Sequence, residues 1–269
     1  MSSEAPSDAA GQSRAEATVL SAPSDVEIRI GADAPLDHVM STMRAMRRLR
    51  TDPVPDELLD DLVRAATWAP SGSDGQHYAF VVVTDREVMA QLGELWRGVV
   101  DTYRTLAGTV VPDFTDERHG RMEAALRHQA EHFDDTPALI AACYRKDRPS
   151  ASTLTDVRRN VELVRRLGFG RLRRLAAGLR TGANLGEASS IYPAVQNLLL
   201  AARANGLAAN VTIWHIFDEP GFRDVLGVPK DHGIYALVPI GWPAGNFGPV
   251  RRRPIDEVRH RDRWGSGES

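Results

Sequence analysis

The sequence predicts an α+β fold, and three observations carry that prediction. Several segments place apolar residues at helical spacing, most clearly Leu58, Leu59, Leu62, Val63 and Ala66. Three short runs, 79–84, 137–144 and 233–241, are apolar on both faces and read as buried strands. At 269 residues the chain is long enough to bury those strands in one elaborate domain.

Residues 1–30 are rich in Ala, Ser, Glu, Asp and Pro and lack a basic start followed by an apolar block. They read as a disordered tail rather than a secretory signal, which leaves 31–269 as the folded domain. Leu36 to Arg48 reads as a helix with Val39, Met43 and Met46 on one face. Pro53-Val54-Pro55 breaks the chain, and Pro55 with acidic Asp56 and Glu57 starts the next helix.

That helix runs into the stretch Trp68 to Phe80, a helix-to-strand corner. Pro70 ends the helix, and Gly72 and Gly75 let backbone amides approach a ligand between polar side chains. Such a corner suits a flat polar heterocycle, although a plain Gly/Ser loop has the same composition. A helix over 85–107 follows, then turn formers at 108–116 and a polar helix at 117–133. His128 and His132 share a face of the polar helix at metal-ligand spacing. Nothing completes a ligand set, so the pair reads as a solvated face and no metal is expected.

The strand at 137–144 holds Cys143, the only cysteine, as a small core residue. Residues 154–181 read as a basic amphipathic helical pair hinged at Gly168-Phe169-Gly170, within an insert at about 150–185 that reads as cover for a cleft, with a surface for anionic lipid or nucleic acid as the alternative. Ser189-Ser190 reads as the cap of a core helix over 187–206 that stops at Asn205-Gly206. A strand at 208–214, a helix at 218–226 and the last strand lead to a non-periodic tail with Arg251-Arg252-Arg253, expected to pack on a partner subunit.

The net charge of −3 offers no basic field, so neither nucleic acid nor membrane is an expected partner. A single cysteine excludes an intramolecular disulfide and suits a reducing compartment; we expect a cytoplasmic protein. Dinucleotide, Walker, H-E-x-x-H and G-x-S-x-G fingerprints are missing, and Gly168-Phe169-Gly170 has Arg173 where a third glycine belongs. What remains is the corner plus arginine clusters at both ends of the chain, which suit a phosphomonoester dianion.

Three motifs in order make the sequence resemble the nitroreductase family of flavoproteins over most of 36–260. They are Arg44-Ala45-Met46-Arg47-Arg48 with Pro53-Val54-Pro55; Ala69-Pro70-Ser71-Gly72-Ser73-Asp74-Gly75-Gln76; and Tyr192-Pro193-Ala194-Val195-Gln196-Asn197-Leu198, followed by Leu226-Gly227-Val228-Pro229 and Pro239-Ile240-Gly241-Trp242-Pro243. The resemblance implies a three-layer α-β-α sandwich with a central mixed sheet and a C-terminal arm extended over a second subunit. It implies FMN held at a homodimer interface in composite sites, with NAD(P)H as reductant.

By the same resemblance Arg44, Arg47, Arg48 and Arg252 match phosphate-binding positions. Pro70, Ser71, Ser73, Asp74 and Gln76 match the corner that lines the isoalloxazine ring, and Thr212, Ile213 and Trp214 match backbone near the flavin edge. Hydride would pass through flavin N5 to an electron-poor acceptor, a nitroaromatic, quinone or activated alkene, in a ping-pong cycle. His215 is a candidate proton donor, with a structural histidine as the alternative. Ala45 and Asp74 depart from the family's usual serine and asparagine, and His77 and Tyr78 from its Pro and Trp. The first two changes motivate a second reading, a flavin-binding storage or sensor protein without turnover.

Overall fold

The structure, a computed structural model, describes residues 34–110, 117–146 and 157–265. The tail at 1–30, residues 111–116 and the start of the insert lie outside the described residues, while 108–110, expected to turn, continue the helix that begins at Arg86. In chain order the elements are α1 (Leu36–Thr42), α2 (Asp56–Thr67), β1 (Tyr78–Val83), α3 (Arg86–Val110), α4 (Glu117–Glu131), β2 (Ala138–Arg145), α5 (Val157–Ala204), β3 (Ala208–Ala209), α6 (Glu219–Leu226) and β4 (His232–Gly241).

The four strands form one sheet in the order β1-β2-β4-β3. Alternation along β2 divides the core. Ala138, Ile140, Ala142 and Tyr144 face α2 and α5 with Leu58, Leu62, Ile191, Val195 and Leu198. Leu139, Ala141 and Cys143 face α3, α4 and α6 with Met89, Trp96, Ala130 and Phe222. Helices therefore cover both sheet faces, which gives the three layers expected. Burial pushes the Cys143 thiol up to about 11, so it is a core residue without nucleophilic character at neutral pH.

All three strand pairings are antiparallel, whereas a mixed sheet was expected. A mixed sheet needs a parallel neighbour, and no described segment of this chain lies beside β1 on its free edge. Register shifts between Ala142 and Cys143: Ala142 opposes Ala236 while Cys143 opposes Ile234. Tyr235 is the extra residue of this bulge, and it joins Ala236 on the α2/α5 side while Ile234 turns to the other core.

Two helix boundaries depart from expectation. α1 stops at Thr42, because Met43 turns extended (φ −72°, ψ 116°) and the chain then pairs with the far end of the sheet. Met46 N–H donates to Ala209 O at 3.2 Å, Arg50 N–H to Trp242 O at 2.9 Å, and Leu49 bridges Pro243. The helical pair and the following core helix are one helix, α5, of 48 residues. Gly168 and Gly170 each weaken a helix by about 1 kcal/mol but supply no alternative partner for its backbone, so they do not end it. The Ser189 and Ser190 hydroxyls donate to Gly186 O at 2.9 and 3.1 Å, inside the helix rather than at its start. The described side chains Glu162, Arg165, Arg166, Arg171 and Leu185 are exposed, while Ile191, Val195 and Leu198 are buried. The strand expected at 208–214 shrinks to Ala208–Ala209 plus a bridge between Thr212 and Leu237.

Candidate functional site

The arginine segment after α1 lies against the end of β4. Ala244 N–H donates to Arg48 O at 3.1 Å, and an Arg44 guanidinium nitrogen donates to Asn246 O at 3.3 Å. Val250 N–H donates to Ser41 O at 2.8 Å, so the run Arg251–Arg253 begins just ahead of Arg44 in space. The segment around 41–50 and the segment around 242–250 therefore lie side by side. Among the described residues Arg252 donates to its neighbour's carbonyl, Arg251 O, at 2.9 Å, and is exposed.

Arg47 is the unusual member. Its Nε is buried without a hydrogen-bond partner, and burial pulls its pKa below the ordinary value. Among the described residues no carboxylate pairs with Arg44, Arg47, Arg48 or Arg252. Leaving a guanidinium partly desolvated and unpaired is costly, and an oxyanion with several acceptors would relieve it. Arg203, at the end of α5, joins this region: its Nε donates to Thr42 Oγ1 at 2.9 Å and its guanidinium lies 4.0 Å over the Phe247 ring. In the sequence it stands as an ordinary basic residue of a last helical turn, and no local signal marks it.

The glycine-serine corner sits elsewhere. Ser73, Asp74 and Gln76 all have left-handed backbones, at φ 53°, 52° and 48°, a strain of roughly 1–2 kcal/mol each. Gly75 is right-handed at φ −68°, and a Cβ there would make a tight contact, 3.2 Å from Gly72 O. Ser71 Oγ accepts from Gln76 N–H at 3.1 Å, and Gln76 Nε2 donates to Asp74 Oδ1 at 2.8 Å. Gly72 N–H donates to Ser190 Oγ at 3.0 Å, which ties the corner to α5. Pro70, Ser73, Asp74 and Gln76 are exposed, so Asp74 is engaged by its own loop and open to solvent on its other oxygen.

The two groups occupy opposite ends of the sheet. The corner runs into Tyr78, which opposes Tyr144, which opposes Gly233. The arginine segment bridges Pro243, just beyond the other end of β4. Eight strand steps separate Gly233 from Gly241, or about 26 Å. One chain therefore does not bring the predicted arginines and the predicted corner together. Thr212 pairs with Leu237 in mid-strand, and its Oγ1 accepts from Trp214 N–H at 3.4 Å. Ile213 is exposed, whereas the Trp214 ring turns away into a stack, 3.9 Å from Tyr103 and 6.1 Å from Trp96.

His215 sits as the structural histidine that the sequence also allowed. It is fully buried against Phe222, with Nε2 2.9 Å from Ile234 O and Nδ1 unpartnered. Burial holds its pKa below the ordinary 6.5, outweighing the Ile234 carbonyl and Glu219, which act to raise it. The unfolded chain then binds more protons than the fold once pH drops below about 6.5. Stability contributed by neutral His215 is full above that pH and declines below it, by at most about 1.4 kcal/mol per pH unit. His215→Gln, which keeps a donor for Ile234, should flatten that part of a urea-denaturation profile between pH 7 and 5.

His128 and His132 lie 4.5 Å apart, and His132 Nδ1 is 3.0 Å from Asp135. Among the described residues no group of three or more His, Cys, Asp or Glu side chains forms a metal-binding cluster. No helix among them is long and apolar enough to cross a membrane. A separate cleft lined by Thr51, Asp56, Arg86 and Asp135 opens at the Pro137 end of β2 and contains none of the predicted site residues.

Comparison with known proteins identifies the family. The model of the Nitroreductase family matches residues 41–242. An NADH dehydrogenase of Thermus thermophilus is 29% identical over 216 residues, covering 80% of this chain and 90% of that protein. Iodotyrosine deiodinase 1 of Rattus norvegicus is 23% identical over 224 residues, covering 82% of this chain and 67% of that protein. Among solved structures, an iodotyrosine deiodinase bound to FMN and 3-iodo-L-tyrosine superposes with a TM-score of 0.56 at 18% identity, covering 85% of this chain and 99% of that one. A BluB-like flavoprotein from Clostridium difficile 630 gives 0.59 at 17% identity, covering 86% and 100%. The chain belongs to the nitroreductase family of flavoprotein oxidoreductases.

Proposed function

We propose that this protein is an FMN-dependent oxidoreductase that takes hydride from NADH or NADPH and passes it to an electron-poor small molecule, a nitroaromatic, quinone or activated alkene. The observation that carries the reading is Arg47: a buried guanidinium nitrogen without a partner, among arginines that no described carboxylate neutralises. That donor set fits the FMN phosphate. Bound FMN would supply the hydride chemistry, which the side chains alone do not.

The chain's own contribution is binding and orientation. Arg44, Arg47 and Arg48, with Arg252 and its neighbours, would hold the phosphate from one end of the sheet. Ser71, Ser73, Asp74 and Gln76, held in a strained loop, would present backbone and amide groups to the ring, and the exposed Ile213 edge would face it. Because the corner lies about 26 Å away along the strands, the corner in each site would come from a second copy of the chain. The C-terminal arm supports that homodimer: Ile255, Val258 and Trp264 are 63%, 47% and 91% exposed, an apolar set that a partner subunit would cover. The projecting part of α5 is the insert, and its place in this reading is over the acceptor. A reducing, cytoplasmic setting suits the single buried thiol.

An anaerobic visible spectrum tests the reading. The purified protein should show a flavin spectrum that bleaches on adding NADH or NADPH and returns on adding a quinone or nitroaromatic. Flavin that binds and never bleaches would replace this reading with that of a flavin-binding protein without turnover. A colourless protein that takes up no FMN would overturn both.

A further inference from the structure

Beside the corner, α5 and the start of β4 build a second arrangement that flavin binding does not use. Tyr235 is the bulged residue of β4, and the bulge turns it to the α5 side together with Ala236. Its hydroxyl donates to Glu187 Oε2, and its backbone carbonyl accepts from Tyr192 OH at 3.0 Å. The Tyr235 ring stands nearly perpendicular to two others, at 6.3 Å and 83° from Tyr144 and at 6.5 Å and 81° from Tyr192. Tyr192 is 39% exposed, and Glu187 and Tyr235 are half-buried, so the group opens to solvent.

Two partly exposed tyrosine rings, backed by the buried Tyr144 ring, and one carboxylate gather at this surface, a grouping that attracts a cation. The faces of the rings carry negative quadrupole potential, and a carboxylate adds charge at one side. Nearby cations are already engaged: Lys146 lies 3.8 Å from Glu219, and Arg223 pairs with the same carboxylate. Among the described residues no cation pairs with Glu187, and its Oε1 accepts no hydrogen bond. Burial first, then the hydrogen bond to Glu187 and the charges of Glu187, Tyr192 and Glu219, all raise the pKa of the Tyr235 hydroxyl. The phenol therefore stays protonated and keeps Glu187 in place.

We propose that Glu187, Tyr192 and Tyr235 form a subsite for an alkylammonium group carried by the acceptor. The subsite adjoins the corner through the bond from Gly72 N–H to Ser190 Oγ, which lies one helical turn beyond Glu187 on α5. A cation held there would extend toward the loop predicted to line the flavin. The proposal rests on the oxidoreductase reading for the identity of the molecule that bears the cation, and not for the binding of the cation itself.

Calorimetric titration with benzyltrimethylammonium and its neutral isostere neopentylbenzene tests it, on full-length protein with and without FMN. The ammonium probe should bind and the isostere at least tenfold more weakly, in both forms of the protein. Glu187→Gln keeps an acceptor for Tyr235 and should weaken the ammonium probe by on the order of tenfold, while leaving the isostere unchanged. Tyr235→Phe keeps the ring but frees Glu187, and should give a smaller loss. Equal binding of the two probes, or a Glu187→Gln protein that binds as wild type does, would overturn the subsite. Probe binding is read without turnover, so an inert flavin with a working subsite defeats only the oxidoreductase reading. An active enzyme that ignores the probe defeats only the subsite.

Discussion

Arg47→Ala is expected to weaken FMN binding by on the order of 100-fold and, in the absence of FMN, to leave the fold as stable as wild type or more so. The two signs come from one cause. Without an anion the Arg47 guanidinium is partly desolvated with Nε unsatisfied, and removing such a group relieves a penalty. With a phosphate present, the same group contributes charge-assisted hydrogen bonds worth about 1.5–3 kcal/mol, or one to two powers of ten in affinity. Arg47→Lys keeps the charge and loses the planar fork, so it should fall between the two. Equilibrium dialysis of FMN gives the affinity, and thermal unfolding with and without FMN gives the stabilities. A variant that is less stable than wild type without FMN and binds it normally would make Arg47 a structural residue.

What the sequence disclosed and what it hid follow from range. The strands were legible because Ala138 to Cys143 is apolar on both faces, a pattern that needs cover on both sides wherever it lies. The early arginine segment and the late one lie close together, but local sequence shows only that both are basic, not that Ser41 and Val250 pair. The end of α1 was not legible either. Met43 and Met46 keep helical spacing, yet Met46 is buried by pairing its backbone with Ala209, a partner far along the chain. Gly168 and Gly170 looked like a hinge because local propensity is all a sequence shows, and α5 runs through them. Tyr235 and Glu187 drew no notice for a similar reason: only the bulge opposite Ala142 and Cys143 turns that tyrosine toward α5. His215 stood open between two roles, since nothing local says that Phe222 and Ile234 enclose it.

Two defective chains should restore each other. Gly75→Val puts side-chain atoms where a Cβ already lies 3.2 Å from Gly72 O and 3.3 Å from the His77 ring, so it distorts the corner while the core is untouched. Arg47→Ala removes the proposed phosphate partner at the opposite end of the sheet. Each homodimer carries its defect in both sites and should bind almost no FMN. If each site takes its arginines from one chain and its corner from the other, a heterodimer has one site with both defects and one with none. Doubly tagged heterodimers should therefore bind about one FMN per dimer and bleach with NADPH at roughly half the wild-type amplitude. If instead each chain builds its own site, every site in the heterodimer has one defect, and no flavin is recovered. The geometry favours recovery, because the sheet that separates Arg47 from Gly75 is the rigid centre of the molecule. Its strands are locked on both faces by Ile140, Leu139, Leu237 and Val238, all fully buried. Closing a gap of about 26 Å within one chain would mean dismantling that core, whereas a second copy only has to dock.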